Sequence, residues 1–384
     1  MDAPRYAIRG GQVFDGLGHA PRRIDVLIEG GRVAAFAEPG ARLPDDAREL
    51  DARDAWVTPG FIDLHTHYDA EVELAPGLTE SVRHGVTTVV LGSCGLSLAC
   101  GDPSDLADMF CRVEGIPRST VAPLLERIKD WETPAGYLDH LERLPLGPNV
   151  ANLLGHSTIR AYAMGLGRSL DARARPTADE LATMERLVET SLDAGYLGLS
   201  INTLPWDKMD GDVYRSRPTP SVFASWREYR RLTRILRRRG AVLQGVPNLR
   251  TKLNILQFLL HSAGIGRKPL KTSILAMIDA RAARGAFRLA AALTRATNRW
   301  LRGDVRFQAL PCVFDLWTDG LDVPVLEEIA AGTEALHLRT DDARGRLLRD
   351  PAYRRRFKRQ WASGLMGRAY HRDLDETEIL DAPE

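Results

Sequence analysis

The sequence is short of cysteine, of net charge and of long apolar runs, and each shortage removes a class of protein. Four cysteines (Cys94, Cys100, Cys111 and Cys312) among 384 residues make no disulfide framework, so a reducing cytoplasm is the expected compartment. Lys and Arg number 52 against 51 Asp and Glu, a net charge of +1, so no global field draws the chain to nucleic acid or to a membrane surface. The basic runs Arg227–Arg239 and Arg354–Arg359 interleave with apolar helical positions, the pattern of solvated helix faces. No stretch approaches the ~20 apolar residues of a membrane span, and the opening Met1-Asp2-Ala3-Pro4-Arg5-Tyr6 has no apolar signal core. What is left is an ordinary globular composition, at a length that accommodates one large α/β barrel with an appendage.

Two regimes of patterning follow one another. Tyr6–Phe14 and Ile24–Phe36 alternate apolar and polar residues, interrupted by Gly10-Gly11, Gly16, Gly18 and Gly30-Gly31. This predicts short antiparallel strands in a small β-subdomain over residues 1–57. From residue 58 to 384, strand-length apolar runs alternate with helical stretches. The runs are Trp56–Leu64, Thr87–Gly92, Val150–Gly155, Gly198–Ile201, Ala241–Val246, Thr272–Met277 and Phe307–Phe314. Helices are expected over Thr177–Ala194, opened by an acidic capping pattern, and over Ser225–Arg239, with one apolar stripe. Regular βα alternation argues for parallel strands with right-handed crossovers, and seven such strands point to a TIM-like (β/α)8 barrel lacking its eighth strand.

Chemistry concentrates at two strand ends. Pro59-Gly60-Phe61-Ile62-Asp63-Leu64-His65-Thr66-His67-Tyr68-Asp69 reads as a strand delivering two imidazoles. Residues i and i+2 of a strand share a face, so His65 and His67 can reach one cation at the C-terminal lip of the barrel, where catalytic groups sit. Asp69 is placed either to orient a ligand or to cap a helix. One βα unit later, Thr87–Gly95 runs as a buried strand ending in Cys94 among small residues. A thiolate there faces the same lip and suits zinc.

Together these segments resemble the N-acyl-D-amino-acid deacylases (D-aminoacylases) of the amidohydrolase superfamily. The likeness runs along nearly the whole chain. Besides Pro59–Asp69 and Gly92-Ser93-Cys94-Gly95, it takes in the glycine-rich start Ile8–Gly16, Gly155-His156-Ser157-Thr158-Ile159-Arg160 and Leu192–Ser200. It implies a barrel with a small β-sandwich, and zinc-dependent hydrolysis of the amide of an N-acyl D-amino acid, a small-molecule substrate. It also implies His65, His67 and Cys94 as metal ligands, with the cysteine in a bridging role. His156 and Arg160, at the end of the third strand, are expected to face substrate, arginine being suited to bidentate capture of a carboxylate. A local structural hydrogen-bonding role is the alternative.

The sequence departs from the family pattern in three places. Histidine ligands belong at the ends of the fifth and sixth strands, yet Val242–Asn248 and Thr272–Asp279 contain none. Gln244, Asn248 and Asp279 could face the site, but neutral amides are poor zinc ligands. His261 falls in a helical stretch. The eighth-strand aspartate that would shuttle protons has no counterpart, since Asp315 and Asp319 lie outside that context, so the catalytic residue is unassigned. The strands that would complete the sandwich are missing too, and the chain reads as C-terminally truncated, with two strand edges open to pairing. Three ligands suffice for one catalytic zinc with an open position, and two metals would need more. A cyclic-amide hydrolase of the hydantoinase or dihydroorotase type is a second reading. An inactive relative or fragment acting as a binding protein is a third.

Overall fold

Alternating apolar residues and paired glycines shape the first part of the chain, in a computed structural model that describes residues 4–42, 44–248, 253–279, 284–309, 317, 324–363, 375 and 377–380. Seven short strands occur there: β1 (Tyr6–Arg9), β2 (Gln12–Val13), β3 (Arg22–Arg23), β4 (Asp25–Glu29), β5 (Arg32–Ala37), β6 (Arg48–Asp51) and β7 (Trp56–Val57). They make a sheet of order β5-β4-β1-β6 and another of order β3-β2-β7. Gly30 and Gly31, at φ +57° and +74°, supply the left-handed two-residue turn that joins β4 to β5. Val13, Ile24 and Val26 form a small core, with Ile8, Ile28 and Val57 packed on it. Asp25 is buried beside it and fully engaged, by Arg9 at 2.9 Å and the amides of Gly10 and Gly40.

The chain divides into two units, residues 1–62 with 85–87, and residues 63–84 with 88–384. The second carries most of the parallel sheet, with the first residues of β8 and β9 counted in the first unit. The strands of that sheet are β8 (Phe61–Asp63), β9 (Val86–Leu91), β10 (Asn149–Gly155), β11 (Gly198–Asn202), β12 (Val242–Val246), β13 (Lys271–Met277) and β14 (Asp304–Ala309), in sequential order from β8 to β14. This is the curled, TIM-like α/β sheet that the βα alternation predicts, and no eighth strand occurs among the described residues. The last strand begins three residues before the apolar run Phe307–Phe314, because Asn298 in the preceding helix clamps Val305 through both of its backbone groups. Cys312, Asp315 and Asp319 lie outside the described residues.

Strand periodicity sorts the two faces of this sheet. Leu199, Ile201, Leu243, Ile274 and Val305 enter a core with Met184, Val188, Tyr229, Leu232, Ile235 and Leu236 of the covering helices. The helix Ala178–Ala194 starts in a full capping box between Thr177 and Glu180. The helix Trp226–Arg239 is capped by Ser225 and stopped by Gly240 at φ +69°. Its outer arginines are engaged by acids of the neighbouring helix, in the pairs Arg231–Glu185, Arg238–Glu189 and Arg239–Asp193. The other face of the sheet is polar. Ser200, Gln244 and Ser273 stand side by side in the registers of β11, β12 and β13, and the first two bond the turn that follows β9.

Candidate metal centre

That turn is built to present Cys94. A Cβ on Gly92 would lie 1.9 Å from the Leu153 carbonyl, so only glycine lets β9 end against β10 there. Cys94 itself is held at φ +54°, ψ +25°, a left-handed conformation that an L side chain adopts at a cost. Three interior contacts enforce it. The Cys94 amide donates to Gln244 Oε1 at 3.0 Å, the Gly95 amide donates to Ser200 Oγ at 2.9 Å, and Ser200 Oγ donates to the Gly92 carbonyl at 2.5 Å.

The histidines meet this turn from β8. Thr66, between them, is tied to the Val90 carbonyl through its amide and its hydroxyl, which turns His65 and His67 to the opposite side. Their rings sit 5.3 Å apart, edge to face, and Cys94 Sγ lies 3.3 Å from His65 Nε2. One donor atom from each of His65, His67 and Cys94 falls within 4.8 Å of the other two. The three residues expected as ligands are thus brought together.

Their protonation suits a cation. Burial lowers the His67 pKa to about 3, with the neighbouring His65 adding to the effect, and its buried Nδ1 has no hydrogen-bond partner among the described residues. Burial lowers His65 as well. Its Nδ1 lies 2.8 Å from Gln308 Oε1, and the Gln308 amide nitrogen donates to Ser273 Oγ at 3.1 Å. With the Gln308 oxygen turned toward His65, as this network is assigned, Nδ1 carries the proton and Nε2 offers its lone pair to the centre. Burial pushes the Cys94 thiol well above its ordinary range, with Asp207 and Asp69 adding to it. A sulfur so placed ionises only against a positive charge, which is the situation of a zinc-bound thiolate.

Asp69 does not cap the short helix Glu71–Leu74, whose N-cap is Ala70. It is buried, and it accepts from the Gly92 amide at 3.2 Å, bracing the strand end that carries Cys94. Burial raises its pKa to about 7. Glu114 accepts from the Ala70 amide beside it and is raised further, again chiefly by burial and next by Asp69.

His156 and Arg160 are placed differently from the expectation of a substrate-facing pair. Both are 0% exposed. Arg160 Nη1 bonds both oxygens of Glu228, and its Nε donates to the Ser169 carbonyl. His156 Nδ1 meets Ser221 Oγ at 3.2 Å, while Nε2 lies 3.2 Å from Glu228 Oε1, poorly aligned for a hydrogen bond. Burial pushes the Glu228 carboxyl up, but His156 and Arg160 outweigh it and hold the group below the usual range. This geometry suits the structural alternative: a charge network ties the helix His156–Met164, which follows β10, to the helix Trp226–Arg239.

Other expected positions are now located. His261 Nε2 is taken by Thr233 Oγ1 at 2.6 Å within the helix Leu253–Ser262, and the exposed Asp279 caps Gly285. Gln308 was missed because nothing local marks a glutamine on the seventh strand as a partner for a histidine on the first. A cavity of about 260 Å³, lined by Trp206, Asp207, Lys208, Arg112, Arg215 and Glu327 among others, includes none of the three residues expected as ligands. Trp206 separates the two regions, since it packs with Cys94, Leu204 and Val246.

Comparison with known proteins bears on this geometry. No protein-family model matches the chain. An uncharacterized protein of Mycobacterium tuberculosis is 46% identical over 380 residues, which is 98% of this chain and 62% of that protein. The N-acyl-D-glutamate deacylase of Alcaligenes xylosoxydans xylosoxydans is 40% identical over 195 residues, 50% of this chain and 36% of the enzyme. The crystal structure of N-acyl-D-glutamate deacylase from Bordetella bronchiseptica, with zinc and a phosphonate mimic of the tetrahedral intermediate, superposes with a TM-score of 0.59 at 26% identity. The chain is a homologue of the N-acyl-D-amino-acid deacylases. That superposition covers 80% of this chain and 58% of the deacylase, so the chain spans about three fifths of the length of these relatives. No helix among the described residues is long and apolar enough to cross a membrane.

Proposed function

We propose that this chain is a metal-dependent hydrolase of linear amides that converts an N-acyl-D-amino acid and water to a D-amino acid and a carboxylate. His65, His67 and Cys94 would hold one zinc ion. The observation that carries the reading is the convergence of three donor atoms within 4.8 Å, on a barrel whose homologue binds zinc and a tetrahedral-intermediate mimic. Zinc bound there would polarise the scissile carbonyl and lower the pKa of water toward ~7.

The chain's own residues supply the rest. Gln308 holds His65 in the tautomer that leaves Nε2 unprotonated, while burial keeps His67 neutral across the physiological range. Cys94 gives up its thiol proton on ligation, so metal affinity rises with pH. Ser200 and Gln244 hold the strained turn, which spares the sulfur from reorganising when the ion arrives. No eighth-strand aspartate occurs among the described residues, and the proton shuttle is unassigned. The three free, buried thiols Cys94, Cys100 and Cys111 suit a reducing cytoplasm.

The test is zinc-loaded chain assayed against N-acetyl-D-amino acids, their L enantiomers and hydantoins. Release of free D-amino acid above the other two supports the proposal. Turnover of hydantoin alone would move the assignment to cyclic amides. Zinc binding with no turnover of any of them would favour a binding protein.

A further inference from the structure

The fifth-strand position where a histidine ligand is expected holds Gln244, and its wiring gives it another task. The side chain is 1% exposed. Its Oε1 accepts the Cys94 amide at 3.0 Å. Turning the amide over would set its NH2 against that N–H, so the orientation is fixed by the network. Oε1 therefore faces the Cys94 backbone, and the amide nitrogen, a donor without a lone pair to give, ligates no cation. A neutral amide oxygen is a poor zinc ligand besides, so the side chain suits a donor's task better than a ligand's.

Its neighbours in the polar belt are satisfied. Ser200 Oγ bridges Gly92 and Gly95, and Ser273 Oγ accepts from Gln308. Gln244 Nε2 alone in this belt is buried with no acceptor among the described residues. A buried donor without a partner is costly, and such a group in a native structure calls for a partner, be it an ordered water, an ion or a ligand. What is missing is an oxygen atom, beside Cys94, inside the barrel.

We propose that Gln244 Nε2 donates to the oxygen of the ligand at the metal centre, the acyl oxygen that gains negative charge when the amide carbon becomes tetrahedral. The assignment rests on the hydrolase reading above. It adds to it a protein donor preorganised in a water-poor interior, where such a donor favours the charged oxygen over the neutral carbonyl.

The experiment uses the full 384-residue chain loaded with zinc, and methylphosphonate as the tetrahedral anionic probe. Zinc content, circular dichroism and the calorimetric affinity for methylphosphonate are measured for wild type, Q244M and Q244E. In Q244M, which fills the space with neither the donor nor the acceptor, methylphosphonate should bind roughly ten- to a hundredfold more weakly per bound zinc, the loss of one hydrogen bond to a charged group. Q244E keeps the acceptor for the Cys94 amide, loses the donor, and should bind at least as weakly at pH 8. In wild type the Gln244 side-chain amide protons, assigned by their absence in Q244E, should shift downfield when the probe is added. Wild-type affinity in either variant, an unmoved amide signal, or a zinc-loaded wild type that does not bind methylphosphonate would overturn the assignment. Loss of zinc from Q244E, which still holds the Cys94 turn, would overturn it too, by placing the Gln244 amide in the metal set. A wild type that takes up no zinc instead refutes the metal reading, and the Gln244 assignment falls with it.

Discussion

Replacing Arg160 with methionine decides whether the Arg160–Glu228 pair serves structure or substrate. Methionine fills much of the volume of the arginine stem, so the perturbation is mainly electrostatic. It leaves Glu228, 3% exposed, facing His156 without its guanidinium partner. Removing one member of a buried ion pair costs about 3–5 kcal/mol, because the other charge stays desolvated. His156, at 3.2 Å, can take up a proton and return part of that, which places the expected loss near the lower end, ~3 kcal/mol. In urea unfolding this appears as a lowered midpoint with an unchanged slope. The double variant R160M/E228Q, with no orphaned charge, should recover most of the loss. If R160M stays within about 0.5 kcal/mol of wild type, the range of ordinary surface changes, and instead raises KM for N-acyl amino acids, the structural reading is refuted.

Two further outcomes follow from the site. Gln308→Leu frees His65 Nδ1, and zinc affinity measured by chelator competition should fall ten- to a hundredfold, the usual effect of losing the group that orients a metal-bound histidine. Unchanged affinity would show that Gln308 does not set the tautomer. Asp69 bears on pH. Its pKa rises from an ordinary 3.8 to about 7 in the folded chain, so its stabilising contribution is complete below pH ~3.8 and is lost as pH rises through ~7. Asp69→Asn removes that dependence. The urea midpoint of metal-free wild type, relative to the variant, should therefore fall between pH 5 and pH 8, and a constant difference would contradict the burial argument.

Much of the centre was legible in the sequence because strand geometry is local. A period of two puts His65 and His67 on one face, and the small residues around Cys94 mark a strand ending in a tight turn. The partners of these residues were not legible. Gln308 lies 243 positions from His65, and only the curl of the sheet joins them. Arg160 reads as a carboxylate-binding residue until Glu228 is found, 68 positions away, on the inner side of a helix whose outer side is arginine-rich. Similarly, β14 starts early because a helix asparagine clamps its first residues, a tertiary contact that hydropathy does not record. The absence of histidine from the fifth strand was visible, but the task of Gln244 depends on which end of its amide the Cys94 backbone holds.

The central claim is that His65, His67 and Cys94 form one metal centre, and zinc content of the purified chain tests it most directly. After exposure to zinc and desalting, the account predicts one zinc per wild-type chain and less than about a tenth of that in Cys94→Ala, with the fold retained by circular dichroism. Full zinc retention in Cys94→Ala, or none in the folded wild type, would contradict it.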